Sequence, residues 1–425
     1  MEQIRLFPKY FGKLLLHVIL AILVGALLLS AVCMFPSAPM DRNLERSAGV
    51  FAEEGIYPEL FPWCTSQLDS TTDALILLIS ACDSGENPVV QAMRGTRNTL
   101  SSVEAASDEL AVHYGNGVPF DGTAPYYQYW HGYQLIIRPL LSLLSYSGIR
   151  ILNGVVQTAL LLLLCVMMRR AGLSRYILPY LVSVLMLMPL ALAMSLQFSS
   201  CYYTLTISSI LLLWKRDALD RLDGMLFLYI GIATAYFDFL TYPVATLGIP
   251  AVFYFCLRKD TDIRDTFCRG VKICFTWAVG YVGMWAGKWL IGSLILKQNI
   301  LAVAVGKLTE RSSASAADAG LIQNIRAALS ANVRSFLHTP AALCFLVLAL
   351  FLLFLLAKRI RARDTDIAKI LSVFFPFVIL ALIPIAWYLV TAQHAVIHHW
   401  FTNKALAVSV FAGLAGLTKA TEKTI

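Results

Sequence analysis

Three places along this 425-residue chain surround an ionisable side chain with apolar residues. A charge at the centre of a membrane helix costs about 2.5–3.5 kcal/mol, so such groups are candidates for function. Asp238 lies in AYFDFLTYPVATLGIP, between Phe237 and Phe239. It is either a carboxylate pointing into protein as a catalytic acid or base, or the residue that caps a turn. Lys288, in YVGMWAGKWL, sits between Trp285 and Trp289. It would meet an anionic headgroup, pair with Asp238, or snorkel as an aromatic-belt anchor. Arg138 and Arg150 flank an apolar segment that begins Tyr129-Trp130-His131-Gly132-Tyr133. A guanidinium donates two parallel hydrogen bonds to a phosphate, whether of a substrate or of bulk lipid.

Histidine and cysteine offer less. His394 and His398 are four apart and share a helix face, as metal ligands or as interfacial residues beside Trp400. No cysteine spacing resembles a zinc site, and no DxD element points to a divalent cation, so no metal or cofactor is expected. Cys64 and Cys82 are the two cysteines outside the apolar runs where a disulfide would persist.

The elements that must position these groups are membrane helices. Hydrophobic residues make up 58% of the chain, charged residues 14%, and mean hydropathy is +0.69. Water cannot cover that much apolar surface, whereas lipid can. Runs long enough to cross ~30 Å of hydrocarbon fall near 14–35, 151–168, 176–194, 199–214, 223–240, 243–257, 270–295, 338–357, 368–391 and 401–418. The first run follows Arg5, Lys9 and Lys13, and its 22 residues exceed a secretory h-region, so it is expected to remain as an anchor. Val32 is a poor fit to a lipobox ending at Cys33.

Charge placement gives the sidedness. With the N-terminus inside, the segments 1–13, 169–175, 215–222, 258–272, 358–369 and 419–425 carry 21 lysines and arginines. The short hairpins on the other side, near 195–198, 238–243 and 392–400, carry none. Ten spans with both termini cytoplasmic follow. The net charge of +8 is therefore a membrane signature, with no nucleic-acid partner implied.

Two exoplasmic segments are long. Residues 36–132 hold 13 acidic residues against Arg42, Arg46, Arg94 and Arg97. Ser70-Thr71-Thr72-Asp73 reads as a helix N-terminus before 74–81, 101–113 as a second amphipathic helix, and 115–125 as a turn-rich loop. Residues 133–150 are expected to lie along the outer interface or to re-enter there, because an eleventh span would put the arginine-rich loops outside. The segment 296–337 is basic, with Lys297, Lys307, Arg311, Arg326 and Arg334 against Glu310 and Asp318. The fold class is thus an all-α polytopic membrane protein. Its parts are an N-terminal anchor (1–35), an exoplasmic domain (36–150), spans two to seven (151–295), a basic exoplasmic loop (296–337), and spans eight to ten with a cytoplasmic C-terminus (338–425).

This arrangement resembles the GT-C superfamily of membrane glycosyltransferases. The local match is YYQYWHGYQLIIRPLLSLLSYSGIRILNGV: an aromatic entry, an apolar interfacial helix, then Gly148, Arg150 and Asn153 at the second span. The resemblance implies a lipid-phosphate-linked sugar donor, a glycan or lipid acceptor, and a catalytic Asp or Glu in the first exoplasmic loop. Asp41 holds the nearest position, followed by Arg42 where the family often has a second acid. Glu45, Glu53, Glu54, Asp69 and Asp73 are further candidates. The leaving lipid phosphate would need cations, from Arg138, Arg150, Lys288 or the 296–337 loop, with Trp130, His131 and His398 lining the substrate groove. Short basic loops between helical spans fit a bacterial inner membrane. A lipid-linked glycan transporter and a non-catalytic assembly subunit are the competing readings. No inverted repeat or pair of broken midplane helices supports the first.

Overall fold

The computed structural model describes residues 2–258, 262–312, 320–362 and 367–422. Asp318, most of the 312–319 stretch, and the basic residues Lys259, Arg363 and Lys423 lie outside them.

Seven helices are long and apolar enough to cross a membrane: Pro8–Cys33, Tyr146–Arg170, Leu196–Trp214, Ile263–Leu296, Pro340–Arg361, Ile367–Val390 and His399–Ala420. Each matches one of the ten apolar runs. The other three runs form shorter helices. The run at 176–194 breaks into Ile177–Met186 and Pro189–Met194, with Met188 between them at φ +56°. Pro189 forces that break, since it cannot donate to the preceding turn. Val244–Leu257 and the apolar part of Leu219–Phe237 are each too short to cross unaided, and both are buried among longer neighbours.

Large apolar side chains face outward along the long helices, including Leu294 at 79% and Phe354 at 65% exposed. Surface of that kind is consistent with a multi-pass membrane protein. Helix association uses small residues: a Cβ on Gly231 would meet the Trp277 carbonyl at 2.2 Å, and one on Gly280 the Leu228 carbonyl at 2.2 Å. Helices Leu219–Phe237 and Ile263–Leu296 therefore cross backbone to backbone. The first helix seats on the same pair, with Val18 over Gly283 and Ile22 over Gly287.

Between the first two long helices the chain builds a helical domain. Its elements are Ala38–Glu54, Ser70–Ala81, Pro88–Arg94, Ala106–Leu110 continuing into Ala111–Gly115, and Gln134–Leu143. A two-stranded antiparallel ribbon pairs Arg97–Thr99 with Gly122–Ala124. The expected helix at 74–81 is present from Ser70, but its cap is Asp69, whose Oδ1 accepts the Thr72 N–H at 2.8 Å. The expected helix at 101–113 starts only at Ala106 and widens at its end. The 133–150 segment forms helix Gln134–Leu143, which ends before Ser145 caps the second long helix, Tyr146–Arg170. Leu44, Phe51, Leu77, Leu110 and Leu141 belong to the same hydrophobic core as the membrane helices, so the domain is continuous with the bundle.

Candidate functional site

The expected acids part company in the fold. Asp73 is 1% exposed and sits under the N-terminus of helix Leu196–Trp214. Its carboxylate accepts the N–H groups of Leu196 and Gln197 at 2.9 Å, the Tyr146 hydroxyl at 2.6 Å and the Ser195 hydroxyl at 3.3 Å. A helix N-terminus leaves N–H groups unpaired, and this carboxylate satisfies two of them from another segment. Burial pushes its pKa up, while Tyr146, Arg150 and the two N–H groups pull the other way. Arg150 completes the network, donating to Tyr146 Oη at 2.7 Å and to both Glu54 oxygens at 2.5 and 2.8 Å. Every lone pair aimed at chemistry is already occupied. Asp73 and Arg150 clamp the domain to the bundle.

Asp238 resolves into the turn-capping alternative. It follows helix Leu219–Phe237, accepts the Thr241 N–H at 3.0 Å and the Thr241 hydroxyl, and takes the Ser200 hydroxyl at 3.2 Å. Lys288 neither snorkels nor pairs with Asp238. It is 0% exposed and donates to the carbonyls of Ala92 and Met93 at 3.2 and 3.0 Å, closing the C-terminus of Pro88–Arg94. Its ammonium lies 5.6 Å from the Trp130 ring centre. A lysine at a helix C-terminus meets the carbonyl end of the dipole, which favours this placement.

The aromatic segment is a packed joint. Trp130 donates to the Met284 carbonyl at 2.7 Å, and Gly132 presses against Tyr236, where a Cβ would meet the ring at 2.2 Å. His131, at φ +60°, approaches the Tyr126 carbonyl at 2.5 Å through Nε2. Burial and the nearby Lys288 charge lower its pKa to about 3, so it is neutral. Trp130 and His131 are thus buried in the joint. His394 approaches the Leu240 carbonyl at 2.8 Å and lies 4.8 Å, ring to ring, from His398. Burial lowers the two to about 3 and about 4, and among the described residues no group of three or more His, Cys, Asp or Glu is placed to hold a metal ion. Cys64 and Cys82 are not bridged; their thiols face Ser335 and Asn98.

Asp41 differs from the other two acids. It stands in the first turn of Ala38–Glu54, half-buried, on the wall of a polar cleft of about 480 Å³. The helix is held by its inner face: Asn43 donates to the Leu141 carbonyl at 2.8 Å, and Ser47 accepts the Tyr146 N–H at 2.9 Å. Asp41 and Glu45 are thereby turned toward Asp83, Asn98, His113 and Tyr114 across the cleft. The Tyr114 hydroxyl donates to Asp41 Oδ1 at 2.9 Å, leaving the second carboxylate oxygen without a protein donor among the described residues. Partial burial raises the Asp41 pKa above the usual aspartate value, with Tyr114 opposing the shift. His113 stacks on Phe120 at 3.7 Å and is fixed through Nδ1 against the Val118 carbonyl at 2.7 Å.

Arg138 lies behind this wall. It donates to the Phe35 carbonyl at 2.6 Å, and its Nε and second terminal nitrogen have no partner among the described residues. Its charge acts on the Cys33 and Cys82 thiols and on Asp83. The cleft thus combines an acceptor carboxylate, a phenol that orients it, and a buried cation at its back. Such a set can hold a polyol and take a proton from one hydroxyl. Sequence reasoning named Asp41 and Arg138 but missed Tyr114, Asn98 and Asp83. Asp41 and Tyr114 are 73 residues apart, and no local pattern links them.

Comparison with protein-family models, with curated proteins and with solved structures finds no match to this chain.

Proposed function

We propose that this chain is a membrane glycosyltransferase of GT-C type, moving a sugar from a lipid-phosphate-linked donor to a glycan or lipid acceptor at the exoplasmic face. The observation that carries the reading is the Asp41 cleft: of the three acids singled out, only Asp41 lines an open cavity with a carboxylate oxygen to spare. In this reaction Asp41 takes the proton from the acceptor hydroxyl as its oxygen attacks the anomeric carbon. The bond from that carbon to the lipid phosphate breaks, and the phosphate leaves with the electron pair. Tyr114 orients the base. Arg138 is the cation for the departing phosphate, its two spare nitrogens supplying the donors, once the turn after Cys33 moves aside.

One observation favours a second reading. Among the described residues, no lysine or arginine lines the cleft, while Asp41, Glu45 and Asp83 do. As it stands, the cavity suits a cationic or hydroxyl-rich group, and a domain that only binds a partner would need nothing more. Reconstitution separates the two. Purified protein in proteoliposomes with polyprenyl-phosphate-linked sugars should transfer sugar, and Asp41→Asn should abolish that transfer. Absence of transfer from every lipid-linked donor, together with retention of a cationic peptide that Asp41→Asn releases, would establish the binding reading instead.

A further inference from the structure

At the opposite end of the bundle, three helices leave a second cavity, of about 890 Å³. Helices Ile177–Met186, Pro340–Arg361 and Ala407–Ala420 meet at a small buried seam of Val182, Leu352, Val410 and Leu414. Outward from the seam the helices diverge and the trough opens. Its walls are apolar, from Leu178, Phe351 and Leu355, and its mouth is basic, from Arg175 and Lys358. Among the described residues, no Asp or Glu lines it.

The two basic residues are not used by the fold. Among the described residues, neither the Arg175 nor the Lys358 side chain makes a hydrogen bond or ion pair, and both are exposed. Their neighbour Arg359 behaves differently, donating to the carbonyls of Ala420 and Glu422 and tying two helix ends together. The Glu422 carboxylate is itself engaged by the Tyr176 hydroxyl at 2.8 Å. The trough therefore pairs two uncommitted cations with an apolar channel running along the membrane helices.

The geometry points to a binding site for one anionic phospholipid, its phosphate between Arg175 and Lys358 and an acyl chain along Leu178, Phe351 and Leu355. Charge and polarity select that occupant. A zwitterionic headgroup would bring a second cation against the mouth, and a partner helix would leave both cations unpaired. A cavity of this size holds a ligand of roughly one acyl chain plus headgroup. Basic pockets between membrane helices recognise anionic headgroups by the same electrostatics. The basic segments 169–175 and 358–369 put this mouth at the cytoplasmic leaflet, away from the Asp41 cleft.

The test is native mass spectrometry of the full chain released from nanodiscs containing phosphatidylglycerol and phosphatidylcholine in equal amounts. The wild type should retain one phosphatidylglycerol at least tenfold over phosphatidylcholine. Arg175→Gln with Lys358→Gln should lose that preference. Leu355→Trp, which fills the trough and leaves both charges in place, should lose the bound lipid, while glycerol phosphate added in solution should not compete in the wild type. Equal retention of the two lipids by the wild type would overturn the proposal, as would retention unchanged in both variants. A concentration-dependent dimer abolished by Leu355→Trp, without bound lipid, would make the trough a contact between copies of the chain and overturn it too. Elution volume and unfolding temperature in detergent show that each variant is folded.

Discussion

Asp73 and Asp41 sit on the same small domain, yet one is fully committed and the other is not. Asp73 is enclosed by two N–H groups and two hydroxyls, with Arg150 behind Tyr146. Asp41 has one donor and an open cavity in front of it. A buried carboxylate is tolerated only when its lone pairs are satisfied, and satisfaction removes it from chemistry. A half-buried one can keep an oxygen free because water supplies the missing partners. Burial alone is thus a poor guide to a catalytic acid; spare acceptor capacity next to a cavity is the better one.

The largest effect should come from breaking the committed region. Asp73→Ala strands two N–H groups and the Tyr146 hydroxyl in the interior, and should destabilise the protein by about 3–5 kcal/mol, at roughly 1–3 kcal/mol for each buried donor left unsatisfied. Thermal unfolding in detergent reads this, and a change within error would mean the clamp contributes nothing.

Asp69 sharpens the comparison through pH. Burial raises its pKa from 3.8 to about 6. Folding therefore favours the protonated form: the stabilisation is complete below pH 3.8 and is lost as pH rises through about 6. The span is about 3 kcal/mol. Asp69→Asn keeps an oxygen for the Thr72 N–H and does not ionise, so it should flatten this part of the stability profile and melt higher than wild type at pH 7.5.

In the open region the effects should fall on turnover and leave folding intact. Asp41→Asn should lower sugar transfer by roughly 100-fold or more, the usual contribution of a general base, with the unfolding temperature unchanged. Because burial raises the Asp41 pKa, the acid limb of the rate profile should lie above the ordinary aspartate range. Tyr114→Phe is the mildest change. It removes a donor that favours the ionised carboxylate, so the acid limb should move further up, with a rate loss of roughly three- to tenfold at neutral pH for a hydrogen bond worth ~1 kcal/mol. An acid limb that moves down, or stays in place, would show that Tyr114 does not act through Asp41.

Much of the helix layout was legible in the sequence. Apolar runs mark seven helices of membrane length, because the requirement for ~20 apolar residues in a row is local. The helix opening at Ser70 was readable from its polar N-terminal residues for the same reason, whereas the 133–150 segment, read as one stretch, is split between helix Gln134–Leu143 and the start of Tyr146–Arg170. The break at Met188 was not anticipated, although Pro189 was its visible cause. The candidate site was legible only in part. Asp41 could be named from its position after the first span and Arg138 from its place in the apolar segment, whereas Lys288, Trp130 and His131 were named for residue type and turned out to be caps and packing.

Sequence by itself determined that this chain carries helices long and apolar enough to cross a membrane, where most of them run and which of its connections are basic. Hydropathy and charge density act over windows of a few turns and need no partner. Only the tertiary structure decided which charged groups are spent and which are spare. That depends on donors arriving from far along the chain: Leu196 and Gln197 for Asp73, the Ala92 and Met93 carbonyls for Lys288, Tyr114 for Asp41. A hydrogen bond is decided within a few ångströms, and nothing in a linear pattern fixes such a distance between residues a hundred positions apart.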